Sequence, residues 1–139
     1  MGNYFSSNKT KLYYISLLKN HHNPTGYSLH GLWPNYSDGT YPSFCKKVTF
    51  DMKLLEPIED ELLQFWELPQ DTNKLEEKFW KHEYIKHGSC MFTEMNELEY
   101  FSKALELYKF VFNENIDVEK YRKGKNYMIP FDVDFNLIE

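Results

Sequence analysis

Two early stretches, "LYYISLL" (Leu12–Leu18) and "YSLHGLW" (Tyr27–Trp33), are short, apolar and aromatic enough to predict neighbouring strands. Between them "KNHHNPTG" carries Asn-Pro and Gly, the signals of a turn. The pattern then changes to helical spacing. Pro57 opens a first helix with Ile58, Leu62 and Phe65 on one side. Asn73, with Glu76 three residues later, starts a second. Asn96 with Glu99 starts a third, whose inner stripe is Leu98, Phe101, Leu105, Tyr108 and Phe112. The tail "NYMIPFDVDFNLIE" offers one more strand. Strands leading into a helical stretch predict an α+β fold. No repeat, low-complexity run or linker divides the chain, so residues 1–139 are read as a single domain.

Composition supports a packed core, since 42% of the 139 residues are hydrophobic and 18% aromatic. No run approaches the roughly 18 apolar residues of a membrane span, so a membrane partner is not expected. The first twenty residues carry polar side chains where a signal peptide would be apolar. Charge is uneven: residues 1–50 carry five Lys against Asp38 alone, a balance of +4, whereas residues 51–139 balance at −9. A chain with net charge −5 lacks the broad basic face of a non-specific nucleic-acid coat, so any polyanion must meet a local site. Two sequons, at Asn8 and Asn35, could accept glycans in a secreted protein. Cys45 and Cys90 are too few for a zinc cage and, for an arbitrary chain, read first as free buried thiols.

Chemistry concentrates in two places. The first is "HGLWPNYSDGTYPSFC", which carries His30, Trp33, Asn35, Tyr41 and Cys45. The second is "KFWKHEYIKHGSC", at a helix end that Gly88 stops. At about 100° per residue with His82 at zero, Lys86 falls near 40°, Phe79 near 60°, Glu83 near 100° and His87 near 140°. That set shares less than half of the helix circumference and can line a cleft, while Trp80 and Tyr84 fall beyond it, where they can pack into the domain. The plain alternative is a solvated helix face with i,i+4 pairs. A zinc-protease helix is excluded by spacing: His-Glu-x-x-His puts its imidazoles at i and i+4, and here position i+4 is Lys86, whose charge opposes a dication. No metal or cofactor is expected. His21 and His22 lie in the turn and receive no role.

Three imidazoles, an ammonium and a carboxylate suit cleavage of RNA by its own 2′-hydroxyl. One group must take the 2′-proton, another must protonate the departing 5′-oxygen, and fixed charge must stabilise the phosphorane-like oxygens. Histidine can take either proton-transfer role. Trp33, Tyr41 and Phe79 would offer faces for splayed bases, or serve as core aromatics.

Together the two segments resemble the active-site segments of the ribonuclease T2 family, the acid, transferase-type RNases, over about residues 27–112. The resemblance implies an antiparallel central sheet with helices packed on it. It also implies roles: His30 as general acid, His87 as general base, His82 as phosphate-binding histidine, and Glu83 with Lys86 as the pair that stabilises the pentacovalent phosphate. Trp33, Asn35 and Tyr41 match positions of the first base site and Phe79 one of the second, although many members carry Asp where this chain has Asn35. The family pairs the cysteine after the first segment with the one closing the second, which implies a Cys45–Cys90 disulfide and an oxidising compartment, secreted or endolysosomal. Members are usually longer, with a Trp-Pro and cysteine region near the start and further C-terminal strands, so the sheet is expected to be reduced at both ends. The expected function is metal-independent cleavage of single-stranded RNA through a 2′,3′-cyclic phosphate by a monomer, with no action on DNA. The alternative is a catalytically impaired relative that keeps the fold to bind RNA.

Overall fold

In a computed structural model of the chain, residues 9–67 and 75–139 are described. The elements in order are β1 (Lys11–Lys19), β2 (Tyr27–Tyr36), a 3-10 turn over Met52–Ile58, α1 (Glu59–Phe65), α2 (Leu75–Lys86), α3 (Glu97–Asn113), β3 (Arg122–Lys123) and β4 (Asn126–Phe131). The strands form one antiparallel sheet in the order β2-β1-β4-β3. This is the α+β arrangement the sequence predicts, with helices packed on the sheet.

Both early strands form where expected and run longer. β2 continues through Pro34 to Tyr36, which a proline permits because β2 is the sheet edge. The turn between them closes on Gly26, whose φ of +85° suits a residue without Cβ; its carbonyl accepts from the Asn20 N–H at 2.8 Å. The first helix departs from expectation. Pro57 sits inside the 3-10 turn, and the α-helix begins only at Glu59. Asp51 starts that turn by accepting from the Lys53 N–H at 3.0 Å, and Pro57 then completes it, where its missing N–H costs little. Asn73, expected to cap α2, lies outside the described residues, as does Asn8. Asn96 and Glu99 form the expected capping box, each side chain accepting from the other's N–H at 2.9 Å. The buried stripe of α3 is wider than the predicted one. Tyr100, Ala104, Leu107 and Val111 join Phe101, Leu105 and Tyr108, because the helix is covered by the sheet on one side and by α1 and the 3-10 turn on another.

The sheet has two unlike faces. Tyr13, Ile15 and Leu17 of β1, Leu29 and Leu32 of β2, and Tyr127, Ile129 and Phe131 of β4 face α3 and form the core with Trp66 and Trp80. Each aliphatic or aromatic side chain so buried contributes on the order of 1.5–3 kcal/mol. The opposite face presents Tyr14, Ser16, Asn126 and Met128 in register. A β-bulge decides where His30 goes. Ser16 pairs with Gly31 but Leu17 pairs with Leu29, so His30 is the extra residue. Strict alternation from Leu32 would place His30 on the core side and Leu29 on the other. The bulge instead lets Leu29 and Leu32 both reach the core while His30 and Gly31 leave it.

Candidate active site

The face of the sheet opposite α3 and one side of α2 enclose a cleft of about 490 Å³. Its lining includes every candidate from the two sequence segments apart from the cysteines: His30, Trp33, Asn35, Tyr41, Phe79, His82, Glu83, Lys86 and His87. Depth along α2 follows the helical angle. His82 is exposed at the rim, Lys86 and Phe79 are half-buried, and Glu83 and His87 are buried at the floor. Trp80 and Tyr84 pack into the core as expected, the Trp80 indole donating to the Trp66 carbonyl at 2.9 Å.

Trp33 joins the two halves. Its Nε1–H donates to Glu83 Oε1 at 2.7 Å, and its ring stacks on His87 with centroids 5.1 Å apart. Its edge meets His30 at 4.9 Å. This closeness requires Gly31: a Cβ there would lie 2.1 Å from Glu83 Oε1 and 2.3 Å from Trp33 Nε1. His30 is held from three directions. Its Nδ1 lies 2.7 Å from Asn126 Oδ1, its carbonyl accepts from Trp66 Nε1 at 3.0 Å, and Phe79 lies against its ring at 5.6 Å. The Asn126 oxygen also accepts from Ser16 Oγ at 3.1 Å, which fixes it as an acceptor and puts the proton of neutral His30 on Nδ1.

Burial and neighbouring cations set the protonation states. His87 is pushed down to about 3, first by desolvation and then by Lys86, His82 and His30. Its Nδ1 is buried with no hydrogen-bond partner among the described residues, so no protein group stabilises a proton there. His30 is also lowered by burial, against the opposing pull of Asn126. Glu83 is raised to about 7 because desolvation outweighs the Trp33 hydrogen bond and the Lys86 charge. Lys86 forms no ion pair among the described residues, and its Nζ lies 5.8 Å above the Tyr41 ring. At mildly acid pH the cleft therefore holds a neutral His87, a carboxylic acid at Glu83 and an unpaired ammonium.

Cys45 and Cys90 form a disulfide, as the resemblance implies. It fastens the loop after β2 to the end of α2, together with the Phe44 N–H bonded to the Lys86 carbonyl at 2.9 Å and the Cys45 N–H bonded to Ser89 Oγ at 3.1 Å. The two segments are thereby tied to each other at their C-terminal ends. Asn35 is buried, and its amide makes only a long 3.5 Å contact with the Thr40 carbonyl among the described residues. Tyr41 stands half-exposed at the mouth, 6.3 Å from the His87 ring.

A family model described as "Ribonuclease T2 family" matches residues 4–121. The chain belongs to the ribonuclease T2 family. Among curated relatives, Ribonuclease DdI of Dictyostelium discoideum is 34% identical over 77% of this chain and 48% of its own length. Ribonuclease T2 of Danio rerio is 35% identical over 80% of this chain and 42% of its own. The chain spans about a third to a half of the length of the first curated relatives it matches. The T2 fold is also that of an RNase-related protein from Calystegia sepium, with a TM-score of 0.71 at 21% identity over 94% of this chain and 90% of the other.

Three lining residues of this T2 domain escaped sequence reasoning: Met128 and Lys123 from the C-terminal hairpin, and Gly39 from the loop after β2. So did Asn126 of the same hairpin, which reaches the site through its contact with His30. Nothing in the local pattern marks Asn126. Its significance comes from pairing opposite Leu18, a register that only the assembled sheet reveals. Trp66 carried a readable signal, as a tryptophan whose N–H needs an acceptor once buried.

Proposed function

We propose that this chain cleaves single-stranded RNA by attack of the 2′-oxygen on the adjacent phosphorus, leaving a 2′,3′-cyclic phosphate. The observation that carries the reading is the convergence of His30, Glu83, Lys86 and His87, from a bulged strand and a helix end, on one cleft. His87 takes the 2′-O–H proton as the O2′–P bond forms; with its basicity pushed down to about 3, the ring is neutral and ready at acid pH. The P–O5′ bond then breaks, and the leaving oxygen takes a proton from the imidazolium of His30. Asn126 holds that ring by Nδ1, so the other nitrogen faces the reaction. A bound phosphodiester raises the affinity of His30 for its proton by adding negative charge beside it. Glu83, whose Oε1 is occupied by Trp33, can donate from its other oxygen to a phosphoryl oxygen. Lys86 adds its positive charge, and His82 offers its imidazole to the phosphate from the rim side. Trp33, Asn35 and Tyr41 then flank one base and Phe79 the other.

Dependence on the 2′-hydroxyl means that DNA is not cut. The test is cleavage of a labelled single-stranded RNA in excess EDTA near pH 5 by the wild type and by folded His30→Ala and His87→Ala proteins. Cyclic phosphate ends from the wild type, intact DNA and loss of cleavage in both variants are the expected results. A folded wild type that leaves RNA intact from pH 4 to 8 overturns the catalytic reading in favour of RNA binding alone. Activity abolished by EDTA and restored by a divalent metal overturns the metal-independent mechanism.

A further inference from the structure

The cleft continues past its catalytic residues. A second concavity of about 260 Å³ shares Lys123 and Met128 with it and is lined also by Tyr14, Tyr121, Lys120 and Arg122. This trough crosses the sheet beside β4 and follows the turn that leads into β3. Its charge contrasts with its surroundings: residues 119–127 read "EKYRKGKNY", four cations and one carboxylate, in a region that is otherwise acidic. That carboxylate, Glu119, is engaged by Lys19 at 3.3 Å and by the Tyr27 hydroxyl. Lys120, Arg122 and Lys123 are exposed and form no ion pair among the described residues. Lys120 Nζ rests 5.2 Å above the Tyr121 ring, while Arg122 Nε donates to the Gly124 carbonyl at 3.2 Å and its other guanidinium nitrogens have no partner among the described residues. Unpaired cations interleaved with aromatic faces along a groove form a sequence-independent surface for single-stranded nucleic acid.

Its position gives the bound strand a direction. His30, the group assigned to the leaving 5′-oxygen, is tied to β4 through Asn126, and Asn126 pairs in register with Lys123 of β3. His87 and Tyr41 lie together in the other direction, toward α2 and the loop after β2. We propose that the trough beside β3 and β4 binds the RNA that continues on the 3′ side beyond the two nucleotides flanking the cleaved bond, its phosphates held by Lys120, Arg122 and Lys123 and its bases resting on Tyr14 and Tyr121. The proposal rests on the ribonuclease reading and on the role given there to His30.

The test compares a dinucleoside phosphate with the same scissile step carrying two added nucleotides either 3′ or 5′, in the wild type, Lys120→Gln, and Lys120→Gln/Arg122→Gln. The single variant changes an exposed side chain only, and melting curves establish that the double variant is folded. The 3′ extension should lower KM and the 5′ extension should not. The double variant should lose that advantage, the single variant part of it, and both should turn over the dinucleoside as the wild type does. Two lost phosphate contacts flatten log(1/KM) against log[salt] by about 1.4 for single strands, roughly a sevenfold effect between 50 and 200 mM salt. An equal or larger gain from the 5′ extension, no gain from either, or a 3′ gain that survives in the double variant overturns the proposal. Absence of dinucleoside cleavage in every protein instead removes the ribonuclease reading beneath it.

Discussion

Replacing Glu83 by Gln separates what this carboxyl does for stability from the catalytic role proposed for it. Burial raises its pKa from 4.5 to about 7. A raised folded-state value means that the folded protein holds a proton the unfolded chain has released. The carboxyl's contribution is therefore intact below pH 4.5 and is lost progressively as pH climbs toward 7. A shift of this size at about 1.4 kcal/mol per unit corresponds to about 3 kcal/mol of lost stability at pH 8. Glutamine has nearly the same shape, accepts from Trp33 Nε1 in the same place and never ionises. Glu83→Gln should accordingly match the wild type at pH 4 and exceed it at pH 8, by roughly 10 °C in Tm for a domain of this size. His87 is also perturbed, but it is present in both proteins and cancels in the difference. The assay is paired thermal melting from pH 4 to 8, with RNA cleavage measured at pH 5, where the variant should lose activity because an amide is a weaker hydrogen-bond donor to the phosphorane oxygens. A Tm difference that does not change with pH would show that Glu83 is not held in a desolvated pocket, and the reasoning would fail.

The profile of kcat/KM against pH should be bell-shaped, rising with the deprotonation of His87 near 3 and falling below the ordinary histidine value of 6.5 as His30 loses its proton. Asn126→Asp, placing a carboxylate at the atom that holds His30 Nδ1, should move the alkaline limb to higher pH while leaving the acid limb in place, as read from the same profile. Gly31→Ala should break the Trp33–Glu83 hydrogen bond, because its Cβ would lie 2.1 Å from Glu83 Oε1; a loss of about 1–3 kcal/mol in urea unfolding and a strong fall in cleavage are expected. The Cys45→Ser/Cys90→Ser protein should lose about 4 kcal/mol in the chain-entropy account of a loop of this length, measured by urea unfolding at equal pH.

The strands, the capping box at Asn96 and the polar arc of α2 were all legible because each is a local matter. Side-chain alternation, a cap three residues from its partner and the 100° step of a helix are set within a few residues of chain. The arc even ordered the depth of His82, Lys86, Phe79, Glu83 and His87, since one side of a helix fixes which of its residues look inward. The start of α1 was misread because Pro57 is compatible both with a helix start and with the 3-10 turn that Asp51 begins. The wider stripe of α3 escaped because it depends on how many neighbours cover the helix.

His30 stands at the border between these two kinds of information. The residue and its motif are plain in the sequence, yet alternation alone would put its side chain among the leucines of the core. A bulge against β1 turns it out, and a register with β4, formed from residues more than ninety positions away, supplies the Asn126 oxygen that orients its ring. The chemical inventory and the local elements follow from short-range rules that the chain carries in order. The depressed basicity of His87, the raised pKa of Glu83 and the continuation of the cleft into a cationic trough arise only when distant segments exclude water together, because desolvation and charge proximity belong to the packed molecule.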